Sequence, residues 1–149
     1  MPLDMAKYRR LFLEESAEHL GEIGHALLAL EKELAAAEAI DTVFRMAHSI
    51  KSMAASLGFE GIAELAHRME DRMEGVRRDG RVRGPEELAL LFRALETLES
   101  MVATVADDRE PAPADPALLV ALGEASPAEG GASAAPAASR VDPPKKVRP

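Results

Sequence analysis

Four side chains in this chain have the types and spacing for chemistry: His48 and Lys51, three residues apart, then His67 and Glu70, again three apart. An imidazole is ionisable and nucleophilic. A carboxylate that accepts the proton of one ring nitrogen fixes the tautomer and raises the basicity of the other nitrogen. That second nitrogen is then a neutral nucleophile. Lys51, within one helical turn of His48, supplies a positive charge suited to phosphoryl oxygens. Ser52 and Ala55 beside it are small and leave room for a partner to close over the ring. These groups suit the receipt and donation of a phosphoryl group, captured covalently on nitrogen. A lone surface histidine is ordinarily just solvated, so the case rests on its company.

The machinery for ATP is missing. There is no glycine-rich nucleotide loop of the Walker or kinase type and no acidic cluster that suits magnesium. The chain reads as a phosphoacceptor and carrier with no cofactor and no metal of its own.

The elements that must position these residues are helices. In the first segment, Asp4 to Leu34, apolar residues recur at Met5, Tyr8, Phe12, Leu20, Ile23, Leu27, Leu30 and Leu34, in steps that are largely helical. Asp4 is its expected cap. Gly21 and Gly24 each cost about 1 kcal/mol relative to alanine and read as tolerated glycines. A second helix starts near Ala39 or Asp41 and ends at Leu57, where Gly58 occupies the position of a left-handed C-cap. A third runs from Phe59 to Arg78, with Arg77 and Arg78 complementing the helix dipole. Pro85 opens a fourth that extends to Ala106. No segment alternates with period two. The expected fold is all-α: an antiparallel up-down four-helix bundle over residues 1–110.

Helical angles, at about 100° per residue, then sort core from site. His48 lies roughly 130° from the apolar centre of its helix and points outward. Glu70 falls on the flank of the apolar stripe of the third helix, and His67 one step further out. Two antiparallel neighbours can bring His48 and Glu70 face to face across their shared groove. Met53 lies on the far side of its helix from His48.

After Asp107-Asp108 the composition changes. Eight of the ten prolines lie in 111–149, among Ala, Ser and Gly, which is the composition of a flexible, disordered linker. One exception is 115–123, where a capping Asp115, Pro116 and a terminal Gly123 bracket a short apolar run, so a short fifth helix docked on the bundle is expected. The basic end, Pro143 to Pro149, reads as a linker end. A long linker with nothing after it favours a domain cut from a multidomain protein over a free-standing carrier.

Composition removes other classes. The net charge is −8, and the segment before Pro111 carries 14 Lys+Arg against 22 Asp+Glu, the opposite of a nucleic-acid footprint. Cysteine is absent, so disulfides and thiolate sites are excluded. No signal peptide or apolar run of membrane-spanning length is seen, so a cytoplasmic protein without membrane contact is expected.

Two other readings fit a helical bundle. Glu22/His25 and Glu64/His67 are E-x-x-H pairs, the motif that di-metal carboxylate bundles use twice. Their angles, roughly 150–175° from the apolar centres, turn them away from the interior where such ligands belong. A non-catalytic interaction bundle also fits, with Arg77, Arg78, Arg81 and Arg83 as a solvated helix end or a docking patch.

The runs Phe44-Arg45-Met46-Ala47-His48-Ser49-Ile50-Lys51, Gly58-Phe59 and His67-Arg68-Met69-Glu70 resemble histidine-containing phosphotransfer (HPt) domains, in particular those at the N-terminus of CheA-type chemotaxis histidine kinases. The resemblance covers residues 4–106. It implies a bundle in which His48 is phosphorylated on Nε2, Glu70 holds Nδ1, and Lys51 and His67 support phosphorylation. It implies an ATP-binding kinase domain as donor, in cis or in trans, and the aspartate of a CheY-like response regulator as acceptor. The chain departs from the family at Ser52-Met53, where Gly-Gly is usual. Met53, turned from His48, is expected to alter helix packing more than chemistry.

Overall fold

A computed structural model describes residues 5–124. They form five α-helices: α1 (Met5–Lys32), α2 (Ala37–Leu57), α3 (Glu60–Asp79), α4 (Pro85–Ala106) and α5 (Pro116–Gly123). No strand occurs among the described residues. The expected cap at Asp4, the stretch 125–149 of the linker and the basic end lie outside them.

The ends of the helices follow local chemistry. Gly58 terminates α2 at φ 83°, a conformation that carries little penalty only for glycine. Phe59 N–H then reaches back to the Ala54 carbonyl at 2.9 Å, closing the turn. Gly80 ends α3 in the same left-handed conformation, and Pro85 begins α4. The loop between them is anchored: Val82 is fully buried and its N–H donates to the Leu34 carbonyl at 2.8 Å.

Helices α1 to α4 pack in a ring of neighbours, α1 on α2, α2 on α3, α3 on α4 and α4 on α1, which is the antiparallel bundle expected. Ile23, Leu27, Leu30, Ile50, Ile62, Leu65, Met69, Leu91 and Leu98 are fully buried at its centre. Phe12 and Phe59 meet at one end with ring centroids 5.1 Å apart. Two expected core positions are exposed: Met5 at 51% and Tyr8 at 43%. The 28 residues of α1 outrun the 21 of α2, so its first two turns lack a full set of neighbours. Conversely, Ser16 is fully buried with no protein partner for its hydroxyl.

The fifth helix forms where the sequence places it and packs on α3 and α4. Residues 111–124 are therefore part of the folded body. No helix of the described residues is long and apolar enough to cross a membrane.

Candidate functional site

Residues His48 and Lys51 sit on the α2 face that borders α3, and Glu70 on the α3 face that borders α2. The tight turn at Gly58-Phe59 makes these helices antiparallel neighbours, so residues 22 positions apart in sequence meet. His48 Nδ1 lies 2.7 Å from Glu70 Oε2. Lys51 Nζ lies 2.7 Å from the other oxygen, Oε1. The single carboxylate is thus shared, one oxygen for the ring and one for the ammonium.

Burial grades across the site. The His48 side chain is 54% exposed, Lys51 27% and Glu70 12%. Burial alone would raise the Glu70 carboxyl pKa. The hydrogen-bonding contacts and charges of Lys51 and His48 outweigh it and hold the group below the ordinary carboxylate range. Glu70 is therefore ionised near neutrality and can only accept. That assigns a proton to His48 Nδ1, so in the neutral ring Nε2 carries the free lone pair. No other polar contact to the ring is present among the described residues, and the ring faces solvent. The carboxylate also balances positive charge that develops on the ring when Nε2 forms a bond.

The structure brings together His48, Lys51 and Glu70. It does not bring in His67, whose ring is 55% exposed one turn before Glu70, with Nε2 3.5 Å from Asp71 Oδ2. Ser52 and Ala55 are exposed on the α2 surface, leaving approach to the ring open. Met53 is half-buried on the other side, where it lines an apolar groove with Tyr8, Leu11, Phe12 and Leu57 of α1 and α2. The substitution for the usual glycine is thus a matter of α1–α2 packing.

The E-x-x-H pairs do not converge. Glu64 pairs with Arg68 and His67 turns to Asp71, while Glu22 and His25 lie on the α1–α2 side of the bundle. Among the described residues, no three His, Asp or Glu side chains are grouped as metal ligands would be. The arginines at the end of α3 are engaged locally. Arg77 stacks 4.3 Å over the Phe44 ring, and Arg83 pairs with Asp79 at 2.6 Å.

Sequence reasoning missed one polar feature, the buried ion pair Arg72–Glu87, 2.7 Å apart with each side chain only 8% exposed. Both lie on the flank of the apolar stripe of their helix, and their partners include the α5 carbonyls and the Arg83 backbone N–H.

Known proteins resemble this chain in sequence and in fold. The Hpt domain family matches residues 7–108. The chemotaxis protein CheA of Bacillus subtilis is 35% identical over 105 residues, 70% of this chain and 16% of that protein. CheA of Listeria monocytogenes is 38% identical over 96 residues, 64% of this chain and 15% of its own length. The chain thus spans about one sixth of the length of these relatives. Among solved structures, the phosphorylated P1 domain of CheA3 in complex with CheY6 from R. sphaeroides superposes with a TM-score of 0.68 at 27% identity, covering 78% of this chain and 92% of that one. On the match over most of the bundle, this chain belongs to the Hpt domain family.

Proposed function

We propose that the chain is the phosphocarrier of a chemotaxis-type two-component relay, taking a phosphoryl group on His48 Nε2 and passing it to an aspartate of a response regulator. The observation that carries this reading is the short Nδ1 contact to a shielded carboxylate, which in the neutral ring directs the Nε2 lone pair to solvent. The Nε2 lone pair attacks the γ-phosphorus of ATP held by a separate histidine kinase domain, in cis or in trans, and the bond to the β–γ bridging oxygen breaks as ADP leaves. The ring becomes a phosphorylated imidazolium whose Nδ1–H remains on Glu70. Attack by a receiver-domain carboxylate then breaks the P–N bond and returns a neutral ring. Lys51 is within reach of the phosphoryl oxygens once its hold on Glu70 relaxes. His67, exposed one turn before Glu70, supports phosphorylation from outside the His48–Glu70 contact.

In this reading residues 1–110 are the carrier domain and 111–149 its tether, with α5 the ordered start of the tether. ATP and Mg belong to the kinase partner. The likeness to CheA proteins supports a histidine kinase parent, a CheY-like receiver as acceptor and a cytoplasmic location. Incubation with the cognate kinase domain and radiolabelled ATP tests it. Label is expected on the wild type and absent from His48→Gln; label retained by His48→Gln, or none on the wild type, overturns the reading.

A further inference from the structure

Helix α5 has eight residues, well short of the roughly 12–15 that a marginally stable isolated helix needs in water. It exists because it is docked. Leu118 and Leu122 are 2% exposed against α3 and α4, and the Asp115 carboxylate caps the first turn by accepting from Ala117 N–H at 3.0 Å. Its C-terminal end has an unusual cap. The Arg72 guanidinium donates through Nη1 to the carbonyls of Ala121 at 3.0 Å and Leu122 at 3.2 Å, and also to that of Glu124. Arg68, one turn earlier on α3, donates to the Leu119 carbonyl at 2.9 Å.

Arg72 is held in this pose from behind. Its Nε donates to Glu87 Oε2 at 2.7 Å, and Glu87 Oε1 accepts the Arg83 backbone N–H at 2.8 Å. At two glycines this segment comes close to the bundle. A Cβ on Gly61 would stand 3.1 Å from Met101 Cε and 3.7 Å from Pro113 Cα, and one on Gly123 would stand 3.4 Å from Arg68 Nη1. Polar bonds to carbonyls, unlike a close-packed core, can be exchanged for water at modest net cost. Of the buried hydrophobic residues only Ala114, Leu118 and Leu122 come from this segment, so most of the core belongs to α1–α4.

We propose that residues 109–124 are a latch that opens without unfolding α1–α4, with Arg72 as the residue that holds it shut. Closed, the segment is fixed over the α3–α4 groove as far as Glu124. Open, the chain leaves the bundle at Asp108, and about 16 residues of chain are released, with an r.m.s. span of ~20–24 Å. His48 lies over the α2–α3 groove and is uncovered in both states. On the proposed relay reading, the latch sets how far the histidine reaches from whatever follows on the chain, and hence its effective concentration at a tethered partner.

Amide hydrogen exchange of the full chain tests the latch. In the wild type, amides 117–124 are expected to exchange at least 100-fold faster than core amides of α2 and α3, yet at least 10-fold slower than in a free peptide of residues 109–124. Arg72→Met is expected to lower protection at 117–124 by 10-fold or more and leave the α1–α4 core unchanged. Should that variant not fold, Leu118→Ser/Leu122→Ser opens the latch from its own side. Retained core protection with α5 lost is expected there. Core-rate exchange of α5 in the wild type, unchanged α5 protection in Arg72→Met, or loss of core protection in the double variant overturns the proposal. Chemical phosphorylation of His48 by phosphoramidate, run in parallel, is expected to be equal in wild type and Arg72→Met. Its failure in both would count against the relay and leave the latch standing.

Discussion

Replacing Glu70 with alanine removes both oxygens that organise the site, one 2.7 Å from His48 Nδ1 and the other 2.7 Å from Lys51 Nζ. A hydrogen bond to a charged group contributes roughly 1.5–3 kcal/mol. At about 1.4 kcal/mol per tenfold, full expression of that bond in the phosphoryl-transfer transition state corresponds to ~10–150-fold in rate. The ring is 54% exposed, and water partly replaces the lost acceptor, so the lower end applies: a slowing of about 10-fold. Glu70→Gln keeps an acceptor for Nδ1–H but not the negative charge, and is expected to fall between wild type and alanine. The assay is the initial rate of label appearing on His48 from radiolabelled ATP and the kinase domain, at saturating kinase, with helicity followed by circular dichroism. Lys51, already partly exposed, turns to water, so the bundle is expected to stay folded. An unchanged rate in a folded Glu70→Ala protein would show that the tautomer argument is wrong. Equal slowing in Gln and Ala would show that charge acts and orientation does not.

Three further expectations follow from particular atoms. Because Lys51 and His48 hold the folded Glu70 pKa below its unfolded value, ionised Glu70 stabilises the fold above the unfolded value and ceases to do so as pH falls through the folded one; in thermal melts, Glu70→Gln is expected to be less stable than wild type at pH 7 and to converge with it in strong acid, and a constant gap down to pH 2 would refute this. Ser16→Ala removes a buried hydroxyl with no protein partner from mid-α1 and is expected to stabilise the chain by about 1 kcal/mol in urea denaturation, whereas a loss would mean that the hydroxyl is satisfied, for instance by an enclosed water. Met53→Gly restores the residue usual in the family but vacates the α1–α2 groove and adds a mid-helix glycine; a loss of roughly 2 kcal/mol with unchanged phosphoramidate labelling of His48 is expected, and altered labelling would place Met53 within the chemistry.

Much of this molecule is written in local signals. Gly58, Pro85 and Asp115 mark helix ends because left-handed φ, a fixed φ and a short carboxylate each act within a few residues. The outward turn of His48 follows from the angle between it and Ile40, Val43, Ala47 and Ile50 on one helix. Facing His48 with Glu70 needed one more premise, that helices joined by so short a turn are antiparallel neighbours.

Other features had no such signal. The periodicity of one helix states which of its faces is apolar but not what covers the other faces, or where a longer helix outruns its neighbour. Tyr8 therefore looked inward and is exposed, while Ser16 looked polar and is buried. Arg72 and Glu87 lie on the flanks of their apolar stripes, but nothing in either helix says that the two charges pair with each other and with the carbonyls of α5. The sequence determined the helices, their caps and an outward histidine with a carboxylate in reach, since these depend on residues close in the chain. Only the tertiary structure decided that one carboxylate serves both His48 and Lys51, that His67 turns to Asp71, and that a buried arginine fastens α5 to the bundle. Those outcomes depend on how far apart side chains from different helices come to rest, and no spacing along a single helix encodes that distance.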